Sequence, residues 1–392
     1  MSEFTTITTT EGLAAFCEDA KAQPYVTIDT EFLRERTFYS RLCLIQMALP
    51  PASGAKTEGG PAVLVDPLAP GLSLEPLYDL FRHEATVKVF HAARQDLEIF
   101  FHDAGVFPTP LFDTQIAAMV CGFGEQVGYE TLVRKIARAS LDKSSRFTDW
   151  SQRPLSKAQQ TYAVADVTHL RAIYEWLSAQ IAKTGRAAWV AEEAAVMVDP
   201  ETYITRPEEA WQRVRTRSSS PRFMAIVRKL AEFREAYAQS HNVPRSRVFK
   251  DDALVELASS KPTNEAELGK SRLLLREGRK PEIAQGILAA IKAGIEDPDP
   301  PRPAKEQHSP PGNAALGELL RVLLKAKAEA ADVAPKLIAS SADLDAIAQG
   351  VRDLPALHGW RAEVFGHDAL RLASGEIALS AEGGAVQVVE LK

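Results

Sequence analysis

The sequence predicts a mixed α/β domain followed by two small all-α domains. Strand and helix patterns alternate through the first 190 residues, whereas from about residue 206 helical periodicity dominates. A stretch at 296–312 with six prolines then separates two helical segments. The length of 392 residues also exceeds that of one ordinary domain. We therefore expect an α/β domain at 1–195, a first helical domain at 206–295, a linker at 296–312 and a second helical domain at 313–392.

The composition is that of a globular protein, with 45% hydrophobic and 25% charged residues. No apolar run is long enough for a membrane span, and no basic stretch precedes the first apolar residues as in a signal peptide. The three cysteines, Cys17, Cys43 and Cys121, are scattered without metal-ligand spacing. We expect reduced thiols in a cytoplasmic protein.

The α/β domain opens with three strand patterns and continues with alternating helices and strands. A turn rich in Gly and Pro lies between the second and third strands, at 50–61. Such an order predicts a mixed sheet with helices on its faces. The predicted strands are 25–32, 41–49, 62–67 and 86–92, the helices are 74–83 and 94–105, and 111–120 is a strand or the start of a helix.

The two helical domains contain related segments. Residues 233–258 align with 323–348 at a displacement of 90 residues, so that Val243 falls on Val333 and Leu254 on Leu344. We interpret this as the duplication of one helical domain.

Charge differs between the two copies. Residues 206–250 contain 11 Lys and Arg against 4 Asp and Glu, whereas 313–392 contain 8 against 11. The basic region is therefore a candidate for phosphate contact, although a solvated basic helix face is the alternative. The net charge of −6 argues weakly against a protein coated in nucleic acid.

Two acids lie on one face of the first predicted strand. Side chains alternate along a strand, so Asp29 and Glu31 share a face with Tyr25 and Thr27. Carboxylates on a largely apolar strand are costly unless they are neutralised, and Mg²⁺ and Mn²⁺ prefer such oxygen ligands. The alternative is that the pair lies at a solvated strand end.

A tyrosine and further acids follow on predicted helices. Ser156 and Gln159 form a capping box, and the helix they begin carries Tyr162 and Asp166 on one face. Asp96 lies where the chain leaves a strand and enters a helix. Taken alone, the pair of Tyr162 and Asp166 has the alternative of a surface pair without a function. The alternative for Asp96 is a helix cap.

The combination resembles the DEDD family of 3′→5′ exonucleases. The matching motifs are DTE at 29–31, Asp96 within HAARQDLEIF, and YAVAD at 162–166. A tyrosine in the third motif places the chain with the DEDDy branch. The flanks DTEFLRERTFYSRLCLIQMA, FDTQIAA and LDKSSRFTDWSQRPLSKAQQTYAVADVTHL resemble the ribonuclease D family, whose members carry helical HRDC domains after the exonuclease domain.

This resemblance implies a ribonuclease H-like (DnaQ-like) fold and a two-metal exoribonuclease that releases nucleoside 5′-monophosphates. Asp29, Glu31 and Asp166 would hold one Mg²⁺ or Mn²⁺ ion, which acidifies the attacking water. Asp29 and Asp96 would hold a second ion beside the leaving oxygen. Tyr162 would orient the water, because a phenol with a pKa near 10 is a poor base at neutral pH.

The resemblance also implies RNA with a free 3′ end as substrate, such as tRNA precursors and other structured RNAs. Further residues are candidates for contacts to nucleic acid, each with an equally plausible structural role. They are Gln46, Lys143, Arg146, Arg213, Arg215, Arg217, Arg222 and Arg228. We expect Asp113 to cap or join a hydrogen-bond network and His91 to be a core group, so neither is assigned as a ligand.

We expect a monomer with no membrane and no obligate protein partner. Three other functions remain open on sequence grounds. They are a DNA-directed exonuclease of the same superfamily, a non-catalytic nucleic-acid-binding or scaffold protein, and, less favoured, a small-molecule phosphohydrolase. The second helical copy has Ala334 and Pro335 in place of Pro244 and Arg245 and fewer cations, so we expect it mainly to pack against other domains.

Overall fold

The computed structural model describes residues 4–51, 59–142, 145, 148–218, 220–301 and 313–391. Parts of the predicted turn (52–58) and linker (302–312) lie outside this set. The chain forms two compact units. The first unit comprises Met1–Glu31, Leu44–Asp199 and His308–Lys392, and the second unit comprises Phe32–Cys43 and Pro200–Gln307. No helix of the described residues is long and apolar enough to cross a membrane.

A six-stranded mixed sheet forms the centre of the α/β domain, as the sequence predicts. Its order is β1-β4-β3-β2-β5-β6, with β3 and β4 antiparallel and β2, β5 and β6 parallel to one another. The edge strand β1, which is parallel to β4, was not predicted. The strands are β1 (Thr5–Ile7), β2 (Tyr25–Leu33), β3 (Arg41–Ala48), β4 (Ala62–Val65), β5 (Val87–Phe90) and β6 (Leu111–Asp113).

One long helix, α6, lies against the face of β2 that carries the acids. The Tyr25 hydroxyl donates to Glu175, and the Thr27 hydroxyl donates to the Val167 carbonyl of α6 at 2.9 Å. The capping box of Ser156 and Gln159 begins this helix, as predicted. The helices of the domain are α1 (Thr10–Lys21), α2 (Glu75–Arg82), α3 (Arg94–Ala104), α4 (Thr114–Val120), α5 (Tyr129–Leu132) with a π turn at Val133–Ala137, α6 (Lys157–Thr184) and α7 (Ala187–Met197).

The second unit has its own apolar core between α8, α10 and α12. It also includes the segment that follows β2, because the side chain of Asn242 accepts hydrogen bonds from the backbone N–H groups of Phe38 and Tyr39, both at 3.0 Å. Its helices are α8 (Pro221–Ser240), α9 (Arg245–Val248), α10 (Asp251–Ser260), α11 (Glu265–Leu268) and α12 (Pro281–Ile295), with 3₁₀ turns at Pro200–Thr202, Pro207–Arg213 and Glu277–Arg279.

The second helical domain shares a continuous apolar core with the α/β domain. It ends in a hairpin of β7 and β8, which the helical pattern of the sequence did not indicate. Its elements are α13 (Asn313–Ala331), α14 (Pro335–Ile338), α15 (Ser341–Ala348), a 3₁₀ turn at Pro355–Leu357, α16 (Gly359–Arg361), a π turn at Ala362–Gly366, α17 (His367–Ser374), β7 (Ile377–Glu382) and β8 (Ala385–Glu390).

The backbone supports the interpretation of a duplication. The helices α14 and α15 begin 90 residues after α9 and α10, at positions 335 and 341 against 245 and 251. The turn before each short helix also matches, because Asn242 and Asp332 are both left-handed, with φ of 47° and 49°. Agreement at a strained non-glycine position is stronger evidence than a match of helical periodicity.

Candidate active site

Three carboxylates meet where β2 faces α6. Single oxygens of Asp29, Glu31 and Asp166 all lie within 4.8 Å of one another. Strand alternation directs the first two to one face, and Asp166 lies one helical turn beyond Tyr162 on α6. Asp166 is far from Asp29 and Glu31 along the chain, but the packing of α6 on β2 is enough to bring the three carboxylates together.

The fourth acid, Asp96, lies in the first turn of α3 and is only 6% exposed. The hydroxyl of Thr30, the residue between Asp29 and Glu31, donates a hydrogen bond to its carboxylate. The nearby charge of Asp29 raises the pKa of Asp96, in addition to the larger effect of burial. Asp96 is thus electrostatically coupled to the cluster.

These acids repel one another and fit a divalent cation. Burial, followed by the charge of Asp166, raises the pKa of Asp29 well above its usual range. Carboxylates held together at such a cost gain most from a cation that replaces the lost hydration. An all-oxygen donor set suits Mg²⁺ or Mn²⁺ rather than a thiolate-seeking metal.

Tyr162 borders the cluster and is half-buried against Trp150, with ring centroids 6.0 Å apart. Burial raises the pKa of its phenol above the usual value, and the charges of Asp166, Glu31 and Asp29 add to this. The hydroxyl is therefore protonated at neutral pH. It can donate a hydrogen bond to a water molecule and orient it, and it is a poor general base.

Two structural residues hold the motifs in place. The predicted capping role of Asp113 is confirmed, since its carboxylate accepts from the N–H groups of Gln115 and Ile116 at the start of α4. Sequence reasoning missed Tyr129, whose hydroxyl donates to the carbonyl oxygen of Asp166 at 2.6 Å. Its partner is a backbone atom 37 residues away, so no local pattern could have signalled it.

His91 is half-buried, in keeping with a core group. Its Nδ1 lies 3.0 Å from the Thr114 hydroxyl, and burial lowers its pKa.

Three predicted nucleic-acid contacts concern the α/β domain. Gln46 lies on β3 opposite Leu64 and is fully buried, and neither polar atom of its side chain has a hydrogen-bond partner in the described structure. Lys143 and Arg146 lie outside the described residues.

The five predicted contact arginines of the second unit fall into two groups. Arg222 and Arg228 bind the end of α12 and the residues after it, since Arg222 donates to the carbonyl of Ile295 and Arg228 pairs with Asp297 at 2.5 Å. Arg213, Arg215 and Arg217 are exposed. The three exposed arginines therefore offer cations to a ligand, whereas Arg222 and Arg228 are engaged in structural contacts.

Comparisons with known proteins agree with this fold. The 3′-5′ exonuclease family profile matches residues 4–182, and the HRDC domain profile matches 223–291. The chain is 61% identical over 388 residues to ribonuclease D of Jannaschia sp., covering 98% of this chain and 99% of the relative. It is 46% identical to ribonuclease D of Granulibacter bethesdensis, covering 98% and 96%.

A solved structure extends the likeness to the whole fold. The crystal structure of Escherichia coli RNase D, an exoribonuclease involved in structured RNA processing, matches with a TM-score of 0.81 at 29% identity, covering 95% of this chain and 99% of that chain. The likeness in fold to this relative thus spans nearly the whole chain. The chain belongs to the ribonuclease D family of 3′→5′ exoribonucleases.

Proposed function

We propose that the chain removes nucleotides from RNA 3′ ends by two-metal hydrolysis at the carboxylate cluster. Asp29, Glu31 and Asp166 hold one cation, and Asp29 with Asp96 holds the other. When bound, the two divalent cations supply an acidified attacking water and stabilise the leaving 3′ oxygen. The close approach of three carboxylates is the observation that supports this most.

The protein's own groups position the reactants. The Tyr162 hydroxyl, kept protonated by its raised pKa, orients the attacking water by a hydrogen bond. The hydroxyl of Thr30 and the helix start of α3 hold Asp96 in a single orientation. Attack at the phosphorus with departure of the 3′ oxygen of the preceding nucleotide releases a nucleoside 5′-monophosphate.

The substrate we propose is structured RNA, in particular the 3′ ends of tRNA precursors. The similar Escherichia coli protein is described as acting in structured RNA processing. Exposed cations of the second unit, such as Arg213, Arg215 and Arg217, contact phosphates without reading sequence. The boundaries at 1–195, 206–295, 296–312 and 313–392, the monomeric state and the cytoplasmic location belong to the same proposal.

The proposal is tested with RNA and DNA oligonucleotides labelled at either end, in Mg²⁺ or Mn²⁺. We expect release of labelled mononucleotide from 3′-labelled RNA and a ladder of shortened 5′-labelled RNA. Asp29→Ala should lower turnover by about 10³-fold or more, because it removes a ligand of both cations. Faster hydrolysis of DNA than of RNA would instead favour the DNA-directed alternative.

Two comparisons separate the loss of a metal ligand from a loss of the fold. Tyr162→Phe keeps every carboxylate, so it should slow turnover less than Asp29→Ala and leave metal binding unchanged. Both variants should show the circular dichroism spectrum of the unaltered chain. Normal turnover by a folded Asp29→Ala protein would refute the assignment of the metal site.

A further inference from the structure

The side chain of Gln46 on β3 is buried, yet its polar end is not hydrogen-bonded. Within the described part of the chain, neither its Nε2 nor its Oε1 has a hydrogen-bond partner. A carboxamide that is taken out of water without replacement hydrogen bonds destabilises a folded protein. A glutamine kept in this state is therefore a candidate for a hydrogen bond that forms only when a ligand is present.

Backbone hydrogen bonds show which face of the sheet Gln46 occupies. The N–H of Leu49 donates to Pro61 on the β4 side, so the even-numbered residues of β3 direct their N–H and C=O groups toward β2. The N–H of Val87 donates to Pro24 on the β5 side, so the odd-numbered residues of β2 direct theirs toward β3. Even residues of β3 therefore lie opposite odd residues of β2 and share their face, which is the face against which α6 packs.

The register of the two strands places Gln46 opposite Asp29. The connection between β2 and β3, residues 34–40, is too short for the crossover that parallel strands need, so the two strands are antiparallel. The Thr27 hydroxyl donates to the carbonyl of Ala48 at 3.1 Å, which sets these two residues across from each other. Two residues further along β2 and two residues back along β3 are Asp29 and Gln46. The Cβ atoms of such opposed residues are typically about 4.5–5.5 Å apart.

Of the two residues that flank Gln46 across the strands, Asp29 is the polar one. On the other side, Gln46 pairs with Leu64 of β4, whose side chain has no polar atom. One oxygen of Asp29 belongs to the cluster of three acids. A carboxylate can accept about four bonds on its two oxygens, so an oxygen that holds a cation leaves sites for a hydrogen-bond donor. The Nε2 of Gln46 is such a donor.

We propose that Gln46 is a positioning residue that donates a hydrogen bond from Nε2 to Asp29 when a divalent cation is bound. The proposal rests on the proposed function, because it needs a cation at the carboxylate cluster. Carboxylates that ligate metals are themselves hydrogen-bonded, and loss of the bonding partner weakens metal binding by about 10–100-fold. Gln46 thus orients the one acid that is proposed to hold both cations. This role differs from the predicted contact with nucleic acid, which a fully buried side chain does not make.

The test uses the full chain with Gln46→Met, which keeps the approximate shape of the side chain and removes both polar atoms. The matched control is Leu64→Met, which introduces the same side chain at the neighbouring buried position. Binding of Mn²⁺ alone is measured from the electron paramagnetic resonance signal of the free ion. Gln46→Met should bind Mn²⁺ about 10–100-fold more weakly, and the control should bind it normally. In EDTA, the urea midpoint of Gln46→Met should equal or exceed that of the unaltered chain, because a buried amide without a partner has been removed.

The two measurements distinguish this role from a purely structural one. A lower urea midpoint in EDTA, or failure of Gln46→Met to fold, would show that the carboxamide serves the fold and would overturn the proposal. Equal weakening of Mn²⁺ binding in both methionine variants would overturn it as well. Normal Mn²⁺ binding by Gln46→Met, together with its loss in Asp29→Ala, would refute the role of Gln46 and uphold the metal site. Normal binding by Asp29→Ala would instead refute the metal site of the proposed function.

Discussion

The electrostatics of this site depend on single residues, as Asp29 and Asp96 show. Each is forced by burial and by a neighbouring carboxylate to hold a proton more tightly than usual, so the pKa of each is raised. In the metal-free protein, these carboxyl groups contribute least to the stability of the fold at a pH at which they are ionised. A divalent cation competes with those protons and removes the repulsion. The binding of metal and the loss of protons are therefore linked.

This linkage predicts that Mg²⁺ stabilises the protein more as the pH rises. A folded pKa above the unfolded value, roughly 3.9 for Asp, means that metal-free stability declines as the pH rises through the folded pKa. We expect the Mg²⁺-induced increase in Tm, measured by differential scanning fluorimetry, to be larger at about pH 7.5 than at about pH 5. Asp29→Asn should abolish most of the increase, whereas the exposed Asp79→Asn should keep it. An equal increase in both variants would exclude the cluster as the Mg²⁺ site.

At the scale of elements, the turn from β5 into α3 decides where Asp96 points. Its residue Ala92 is left-handed, with φ of 57°, a strained conformation for alanine. The carboxylate of Asp113 stabilises this turn, because it accepts from the backbone N–H groups of Ala92 and Ala93 as well as from the start of α4. One buried acid thus joins two neighbouring strand-to-helix turns.

We therefore expect Asp113→Ala to cost about 3 kcal/mol of unfolding free energy. The loss combines a helix cap, about 1 kcal/mol, with the buried N–H group of Ala93 left without an acceptor, at about 1–3 kcal/mol. Urea unfolding measures the loss, and turnover should fall with it because Asp96 is no longer held. Asp113→Asn keeps one carboxamide oxygen as acceptor and should lose less of both. Abolished turnover in a fully stable Asp113→Asn protein would instead show that Asp113 is a metal ligand.

The sequence predicted the residues of the site better than the residues that hold them in place, because only the former follow from local patterns. The strand face of Asp29 and Glu31, and the helix face of Tyr162 and Asp166, follow from periods of two and 3.6 residues. The supports depend on contacts between distant segments, such as the hydrogen bond of Tyr129 to the backbone of α6. The three-residue strand β1 was missed for the same reason, since so short a strand is defined by its partner rather than by its own pattern. The hairpin of β7 and β8 was missed although its signal is local, because Gly383 and Gly384 form a two-residue turn between the two strands.

At the scale of the molecule, duplicated turns hold different segments of the chain. In the first copy, Asn242 binds the backbone of Phe38 and Tyr39. In the second copy, the N–H of Ala334 donates to the carbonyl of Met119 in α4, at 3.2 Å. The same loop geometry has therefore been used twice for docking, once through a side chain and once through the backbone. The second docking site extends into the shared apolar core of the first unit.

Because that core is continuous, the α/β domain and the second helical domain should unfold together. Trp360 is 3% exposed and stacks on Trp189 with centroids 4.5 Å apart, so Trp360→Ala should cost about 3–5 kcal/mol. Hydrogen exchange should then report lost protection in α4, α6 and α7 as well as in α13–α17, with α8 and α12 unaffected. The control Trp176→Ala, at a residue that is 39% exposed, should have a smaller effect. Loss confined to α13–α17 would mean that the second helical domain opens independently, so that its contacts with α4 and α7 add no stability to the nuclease domain.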